Sequence, residues 1–398
     1  MKFGERAAIP RTVWMLGFVS LFMDLSSELV HSLLPVFLVS TLGASVLTVG
    51  IIEGLSEAIA LIAKVFSGAI SDFFGRRKGL ILLGYGMAAL TKPLFPLATS
   101  VGTVFIARFL DRIGKGIRGA PRDALVADVA PSEIRGACFG LRQSMDTIGA
   151  VLGPMVAILL MVWLANDIKR VLWFAVIPAL VTVVLIVTGI EEPEGESGSR
   201  RFRSPIRLIV LKQFSGAYWW IVAIGAIFTL ARFSEAFLIL RARQTGLPMT
   251  WLPLVMVVMS LTYALSAYPA GILSDRMNRR SMLATGLVLL ILADLVLAWA
   301  GSPVIVLLGS ALWGLHMGFT QGILAAMIAD ATPPDLKGTA FGLFNLASGL
   351  FMLLASAVAG GLWDRYGATA TFCAGAGFSL VALAMLASFG RHRKNERP

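Results

Sequence analysis

A charged pattern occurs twice in this chain, about 200 residues apart and each time directly after an apolar stretch. The first copy begins at Gly68 and reads Gly-Ala-Ile-Ser-Asp-Phe-Phe-Gly-Arg-Arg. The second begins at Gly271 and reads Gly-Ile-Leu-Ser-Asp-Arg-Met-Asn-Arg-Arg. Another matched pair keeps almost the same offset, with Ala-Asp-Val-Ala-Pro around Asp128 and Ala-Asp-Ala-Thr-Pro around Asp330. Two matched landmarks at nearly one spacing indicate that the chain consists of two duplicated halves.

The composition places both halves in a membrane. The residues are 57% hydrophobic and only 14% charged, whereas a soluble domain carries roughly 25% charged residues. Apolar runs of about 20 residues recur often enough for about twelve spanning helices. These are predicted near residues 12–40, 46–70, 79–98, 101–120, 134–164, 170–190, 217–240, 250–272, 282–300, 303–328, 338–362 and 368–390. The predicted fold class is an all-α membrane protein of two pseudo-symmetric six-helix bundles, an architecture typical of secondary transporters.

Basic residues predict the orientation of these helices. They concentrate before helix 1, between helices 2 and 3, 6 and 7, and 8 and 9, and at the end of the chain. Because these segments share one side, the positive-inside tendency makes that side and both termini cytoplasmic. The same distribution accounts for the net charge of +11 without a nucleic-acid partner. The predicted domains are an N-terminal bundle over 1–190, a cytoplasmic linker over 191–215, a C-terminal bundle over 216–390 and a basic tail over 391–398.

The loop pattern Gly-x-x-x-Asp-x-x-Gly-Arg-Arg resembles the loop between helices 2 and 3 of the major facilitator superfamily, and its copy resembles the loop between helices 8 and 9. The resemblance covers nearly the whole chain, since the helix count, the halves and both repeats fit it. It implies the twelve-helix fold of that superfamily and the transport of a solute. The residues of these gate motifs are Gly68, Asp72, Gly75, Arg76 and Arg77, then Gly271, Asp275, Arg279 and Arg280, together with Asp128 and Asp330.

The motifs are predicted to form a gate on the cytoplasmic side. Gly68 and Gly271 let neighbouring helix ends approach closely. Asp72 and Asp275 can accept hydrogen bonds from helix N-termini or pair with nearby arginines. Such bonds hold two helix ends together in one state and break in the other, although the same residues could instead serve only to set the topology.

Two further stretches resemble motifs of the superfamily. In helix 4, Arg112-Ile-Gly-Lys-Gly is similar to the superfamily's arginine motif, which the family links to proton coupling. In helix 5, Gly149-Ala-Val-Leu-Gly-Pro is similar to the core of a motif found in proton-driven exporters. Gly149 and Gly153 also form a face of small residues for tight packing, and Pro154 allows a bend. Packing alone could explain all three.

Ionisable residues inside the predicted spans are the candidates for the transport site. Each costs about 2.5–3.5 kcal/mol near mid-bilayer on insertion scales, so each needs a partner or a task. The predicted coupling and cavity residues are Asp24, Glu28, Glu53, Glu57, Arg108, Asp111, Arg112, Lys115, Arg142, Asp146, Arg232 and Glu235. Most of them lie in the first half, which predicts coupling chemistry in helices 1, 2, 4 and 5.

Asp24, Glu28 and His31 share one face of helix 1, because they stand at i, i+4 and i+7. An unpaired carboxylate at such depth favours its protonated form. Asp24 or Glu57 is therefore predicted to carry a proton, unless it is permanently paired with a base of helix 4 or 5. Arg112 is predicted to tune a neighbouring acid.

Helical spacing also predicts several local ion pairs. They are Asp111 with Lys115, Arg142 with Asp146, and Arg232 with Glu235. Lys92, which precedes Pro93, is expected to extend its ammonium group to the outer interface. Asp294 in helix 9 has no evident partner.

The leading hypothesis is a proton-coupled antiporter that exports a small organic solute by alternating access, as a multi-pass protein of a bacterial inner membrane. One alternative is proton symport and uptake of an organic anion such as a siderophore. Another is export of a divalent metal through Asp24, Glu28 and His31, whose carboxylate and imidazole groups suit first-row metals. A membrane sensor that no longer transports is the alternative from a different class.

The other expectations concern partners and chemistry. The partners are a small-molecule substrate, protons and the lipid bilayer, with no nucleic acid, and the protein is expected to be a monomer. No cofactor is expected, because the spacing of a phosphate-binding loop and of a zinc site are both absent. An enzyme is disfavoured, since three histidines offer no arrangement of nucleophile and base.

Overall fold

The computed structural model describes residues 8–74, 76–192, 211, 213–320, 322–333 and 336–395. For residues 74, 274–276 and 389–395 the description is limited to the backbone. These ranges are helical and contain no strand. The helices are α1 (Arg11–Val36), α2 (Val46–Phe74), α3 (Lys78–Thr91 and Leu94–Leu97), α4 (Val101–Val129), α5 (Arg135–Trp163), α6 (Ile168–Trp173 and Val176–Gly189), α7 (Gly216–Ala231 and Ala236–Gln244), α8 (Leu254–Arg276), α9 (Arg279–Ala298), α10 (Pro303–Thr320 and Ile323–Asp330), α11 (Lys337–Tyr366) and α12 (Ala368–Asn395).

Eleven helical segments of the described chain are long and apolar enough to cross a membrane. The predicted span that does not meet this description is α4. It has 29 residues, ample for a bilayer, but charged residues recur along much of its length. The prediction of twelve spans and the cytoplasmic position of both termini therefore stay predictions.

Helix α4 is longer than its sequence pattern indicates. The predicted span ends near residue 120, directly before Pro121, a residue that removes a backbone donor and discourages a helix. The helix nevertheless continues through Pro121 to Val129. Membrane helices tolerate such a proline when neighbouring helices surround the freed backbone groups, and Pro121 is buried. The extension brings Arg122, Asp123 and Asp128 onto α4.

Two helices of the second half are interrupted where continuous spans were predicted. Helix α7 stops at Ala231 and resumes at Ala236, so that residues 232–235 leave the helical path. Helix α10 stops at Thr320 and resumes at Ile323 after Gly322, whose φ of 75° is in the left-handed region that favours glycine. Interrupted membrane helices expose backbone groups to binding sites and provide hinges.

Packing divides the chain into two units. The N-terminal unit comprises Met1–Val30 and Ile62–Arg203, and the C-terminal unit comprises His31–Leu61 and Ser204–Pro398. Helices α1 and α2 thus contribute to both units. The predicted bundle boundaries rest on the duplicated halves of the sequence, and they stay a prediction. Most of the predicted linker 191–215 lies outside the described residues.

In the N-terminal unit, α5 packs so closely on α1 that two glycines of α5 lie directly against the α1 backbone. A Cβ atom at Gly153 would lie 2.8 Å from the carbonyl oxygen of Leu25 and 2.9 Å from the Cβ of Glu28. A Cβ at Gly149 would clash with the carbonyl of Leu21 and lie 3.1 Å from the Cβ of Asp24. Small residues are therefore required here, and they hold the acidic face of α1 directly against α5.

In the C-terminal unit, the first half of α2 packs on α11. A Cβ atom at Gly360 would lie 2.6 Å from the Cα of Leu47. The carboxylate of Asp364 accepts hydrogen bonds from the backbone N–H groups of Val46 (3.2 Å) and Leu47 (2.9 Å). An acid at a helix N-terminus satisfies free donors and the positive end of the dipole, so Asp364 anchors the start of α2.

Candidate functional site

The two gate motifs each form an arginine–aspartate pair, and both pairs span the same chain separation of 51 residues. In the first half, Arg77 Nε donates a hydrogen bond of 2.5 Å to Asp128 Oδ2, and Nη1 donates one of 3.4 Å to Asp72. In the second half, Arg279 Nη1 donates to Asp330. The two landmarks found separately in the sequence therefore meet in space. Their pairing was not predicted, although their common offset carried the signal.

The two gate sites differ in their surroundings. Arg77 is mostly buried, with 12% of its side chain exposed, and also reaches Ser71 at 3.3 Å. Arg279 is 44% exposed and also donates to the carbonyl of Ala326 at 2.8 Å. Asn278, which stands where the first copy has Gly75, caps α9 by accepting a hydrogen bond of 2.7 Å from the backbone N–H of Arg280.

The glycines of the gate motifs do not behave alike. A Cβ at Gly68 would lie 3.4 Å from the Cβ of Ala120, so α2 and α4 approach closely there. A Cβ at Gly271 would meet no atom of the described residues within 4 Å. The close approach predicted for Gly271 is therefore wrong. Gly75 and the side chain of Asp275 lie outside the described residues, and Arg76 is exposed.

Two acids of the N-terminal unit lie together where α5 packs on α1. The carboxyl groups of Asp24 and Asp146 lie close enough to interact with each other. Both side chains are partly exposed. Two carboxyl groups can share a hydrogen bond only when one of them carries a proton, because ionised carboxylates are acceptors alone. The pair is therefore a candidate site for binding one proton.

Arginines surround this acid pair. Arg142 Nη1 lies 3.6 Å from Asp146 Oδ1, which is the predicted i,i+4 pair on α5. Arg122 Nη1 lies 3.6 Å from the same oxygen and donates to the hydroxyl groups of Ser20 (3.1 Å) and Tyr85 (3.4 Å). These two positive charges can neutralise Asp146 when the shared proton leaves.

A second buried charge centre joins α3 and α4. Lys92 Nζ lies 2.9 Å from Asp111 Oδ1 and donates a hydrogen bond of 3.0 Å to Ser27. Both charged side chains are almost completely buried. The predicted extension of Lys92 to the outer interface is therefore wrong, because a buried carboxylate attracts its ammonium group inward. The predicted partner Lys115 is exposed, and Asp111 takes Lys92 instead.

The remaining predicted acids lie elsewhere. In the C-terminal unit, His31 Nε2 lies 3.5 Å from Glu53 Oε2, and both are buried. Glu28 and Glu57 are partly exposed. No group of three histidine, cysteine, aspartate or glutamate side chains that could hold a metal occurs among the described residues. The alternative metal set of Asp24, Glu28 and His31 therefore does not assemble there.

Arg232 and Glu235 bracket the interruption of α7. The guanidinium of Arg232 lies over the Phe228 ring, 5.6 Å from its centroid, and Glu235 acts on it electrostatically. Glu235 stands at the N-cap of the second segment of α7. The predicted pair thus occurs at a helix break rather than along a continuous helix.

Comparison with known proteins decides the family. The family model described as Major Facilitator Superfamily matches residues 16–255 and 236–398. The chain belongs to this superfamily. It is 33% identical over 363 residues to an uncharacterized MFS-type transporter of Methanocaldococcus jannaschii, covering 89% of each chain. It is 26% identical over 383 residues to an inner membrane metabolite transport protein of Escherichia coli, covering 84% of each.

Solved structures show the same fold. The crystal structure of a POT family transporter in complex with a thioalcohol-conjugated peptide matches with a TM-score of 0.79 at 14% identity, covering 98% of this chain and 97% of the other. The protein is thus a multi-pass membrane protein of the Major Facilitator Superfamily, whose relatives are transporters and not enzymes.

Within this superfamily member, Arg122 and Asp123 are functional candidates that sequence reasoning missed. Arg122 Nη2 lies 3.2 Å from Asp123, and Arg142 Nε lies 3.9 Å from Asp123, so the two residues join the network around Asp146. They were missed because α4 was expected to end before Pro121. The sequence contained a sign of this longer helix, because Arg108, Lys115 and Arg122 follow one another at intervals of seven residues and so share one helix face.

Proposed function

We propose that this superfamily member is a proton-coupled antiporter that exports a small organic solute from a bacterial cell by alternating access. The observation that carries the proposal is the proximity of the Asp24 and Asp146 carboxyl groups where α5 packs on α1, an arrangement that can share one proton. Relatives that include an inner membrane metabolite transport protein support a small metabolite as solute.

The proton alternates with a rearrangement of the arginines. With the proton present, Asp24 and Asp146 hold α1 to α5 through their shared hydrogen bond. When the proton leaves, Asp146 is neutralised by Arg122 and Arg142, each already 3.6 Å away. Asp24 is then a carboxylate without its partner, and α1 can move from α5 or bind a solute. Protonation and helix packing are coupled because neither changes without the other.

The test is transport by the purified protein in liposomes that enclose a pH-sensitive dye. Solutes are added under an imposed proton gradient, and dye response and solute flux are recorded together. Asp24→Asn and Asp146→Asn should each abolish solute-driven proton movement, because an amide cannot carry the shared proton. Asp167→Asn is the matched control, since Asp167 is a partly exposed acid that caps α6 and an asparagine caps equally well.

Three results would refute the proposal. If the wild type transported solute without any pH response, the protein would be a uniporter or would couple transport to another ion. Intact coupling in both Asp24→Asn and Asp146→Asn would place the proton elsewhere. Coupled movement of proton and solute in the same direction would make the protein a symporter.

A second candidate is transport of an organic anion. Its support is the excess of fully buried bases over acids in the described part of the N-terminal unit, where Lys92, Arg108, Arg112, Arg118 and Arg142 accompany only Asp111. An anionic solute would offset this charge. Counterflow of radiolabelled carboxylates, compared with their neutral amides, tests it. Preference for the amides would exclude the anion.

A further inference from the structure

The two halves share a packing register that can be followed residue by residue. One shift along the chain, one residue shorter than the shift that aligns Gly68 with Gly271, carries Arg77 to Arg279 and Asp128 to Asp330. The same shift carries Gly84 of α3 to Gly286 of α9. A Cβ at Gly84 would lie 2.6 Å from the carbonyl of Gly114. A Cβ at Gly286 would lie 3.6 Å from the carbonyl of His316, the residue that the same shift relates to Gly114. Helices α9 and α10 therefore pack with the register of α3 and α4.

In this register Asp294 occupies the position of Lys92, and Trp313 occupies the position of Asp111. The N-terminal pair is joined at 2.9 Å, and the shared register places Asp294 and Trp313 at the equivalent positions of α9 and α10. The base of the first half has been replaced by an acid, and the acid by an aromatic ring. The C-terminal copy therefore keeps a buried ionisable group but has lost its counter-charge.

The surroundings of Asp294 are apolar and closed. Its side chain is 0% exposed, and neither carboxyl oxygen has a hydrogen-bond partner among the described residues. A Cβ at Gly375 of α12 would lie 2.6 Å from Asp294 Oδ2 and 2.9 Å from the ring of Phe233. Phe233 in turn packs on Trp313, with ring centroids 5.4 Å apart. The indole N–H of Trp313 is likewise buried without a partner in the described chain.

The charged and titratable groups near this site lie on α7 and α10. Helix α10 contributes His316, whose ring meets that of Trp313 edge-on at 5.5 Å. The interruption of α7 contributes both Arg232 and Glu235. Arg232 acts electrostatically on His316, and Glu235 acts on Arg232. Helix α12 has no charged side chain over 368–388. An ionised carboxylate here would lack both solvent and a direct counter-ion, and such an environment disfavours the charged form.

We propose that Asp294 is a proton-binding site of the C-terminal unit, which holds a proton in this conformation and releases it when the interruption of α7 repacks. The inference rests on the proposed proton coupling and adds a second carrier to it. A proton is the ligand that fits, because no group of three histidine, cysteine, aspartate or glutamate side chains that could hold a metal ion occurs around Asp294 in the described chain.

Release follows from the position of Phe233. This residue lies within the interruption of α7, between Arg232 and Glu235, and its ring adjoins both Asp294 and Trp313. If the interrupted segment moves, Asp294 can pass its proton to water and become a carboxylate. Trp313 Nε1–H can then donate to that carboxylate, and the positive charge of Arg232 stabilises it.

Infrared difference spectroscopy of the full-length protein in liposomes tests the protonated state. The carbonyl stretch of a neutral carboxyl, recognised by its shift in deuterated water, should be present in the wild type and lose one component in Asp294→Asn. The measurement is repeated in Asp24→Asn, which removes the shared proton of the other acid pair. Asp294→Glu should displace the component rather than remove it, and it serves if the asparagine variant does not fold. An unchanged spectrum in Asp294→Asn, or an undisplaced component in Asp294→Glu, overturns the proposal.

Proton release is tested by the ratio of protons to solute in the liposome assay. Asp294→Asn should lower this ratio while solute flux continues, and Trp313→Phe should slow the proton step without removing it. A ratio equal to that of the wild type in Asp294→Asn, with the infrared component lost, means that the proton is bound but never released, and overturns the release step. If the wild type moves no protons at all, the proposed function fails, while the infrared comparison still decides whether Asp294 is protonated.

Discussion

The two halves of this protein keep the same gate but have diverged in their buried charges. Arg77–Asp128 and Arg279–Asp330 occupy equivalent positions at identical separation. In contrast, Lys92–Asp111 of the N-terminal unit corresponds to Asp294 and Trp313 in the C-terminal unit. A gate needs the same geometry in both halves, whereas charges placed inside a membrane are retained only where they have a partner or a task. The difference therefore indicates separate tasks for the two units.

The largest expected effect comes from removing one member of the buried ion pair. Lys92→Met should lower the free energy of unfolding by up to about 3–5 kcal/mol, because it removes the direct ion-pair partner of the buried Asp111 and the more distant buried arginines offset only part of that loss. The measurement is unfolding by SDS in mixed micelles. Lys337→Met, at an exposed lysine, is the matched control and should change little.

The matching prediction for the C-terminal unit concerns Asp294→Leu, at the position equivalent to Lys92. A neutral acid without partners has no ion pair to lose, so the leucine variant should unfold no more easily than the wild type. If Lys92→Met were as stable as the wild type, or Asp294→Leu as unstable as Lys92→Met, the two sites would not differ as described.

The next effect concerns the contact between α1 and α5. Gly153→Ala should destabilise the protein by about 1–3 kcal/mol, because its Cβ would lie 2.8 Å from the Leu25 carbonyl. The equivalent residue of the C-terminal half is Ala355, so that half already accommodates a Cβ at this position. Gly140→Ala on the same helix meets no atom within 4 Å and should be neutral or slightly stabilising. Equal stability of both alanine variants would contradict the close packing.

The sequence predicted most of the architecture, because helix length and hydrophobicity are local properties. It also singled out the arginines and aspartates that pair in the gate motifs and the acids Asp24 and Asp146, whose roles in gating and coupling stay predictions. It could not predict that Lys92 turns inward, since a lysine beside a proline at a helix end has the same local pattern in either case. The interruption of α7 was missed as well, although the polar residues Arg232, Ser234 and Glu235 interrupt the apolar run there. Partners on other helices decide these features.

A smaller effect is expected at the gate. Arg77→Ala should lower transport more than Arg279→Ala, because Arg77 is mostly buried and contacts Ser71, Asp72 and Asp128. The exposed pair of Arg279 and Asp330 is screened by water and contributes at most about 1 kcal/mol. Initial transport rates in liposomes measure the difference. If Arg279→Ala lowered transport more than Arg77→Ala, the arginine–aspartate pair of the C-terminal half would be the more important of the two.

The smallest effect separates the two loops of the gate motifs. Asn278 caps α9 through its side chain, in the place that a glycine occupies in the first copy. Asn278→Gly should therefore lower the free energy of unfolding by only a few tenths of a kcal/mol, since glycine is a tolerated N-cap, whereas Asn278→Ala should lower it by about 1 kcal/mol. Unfolding in mixed micelles resolves the two. If glycine proved worse than alanine, the asparagine would be needed for more than its cap, and the two loops would not be interchangeable copies of one turn.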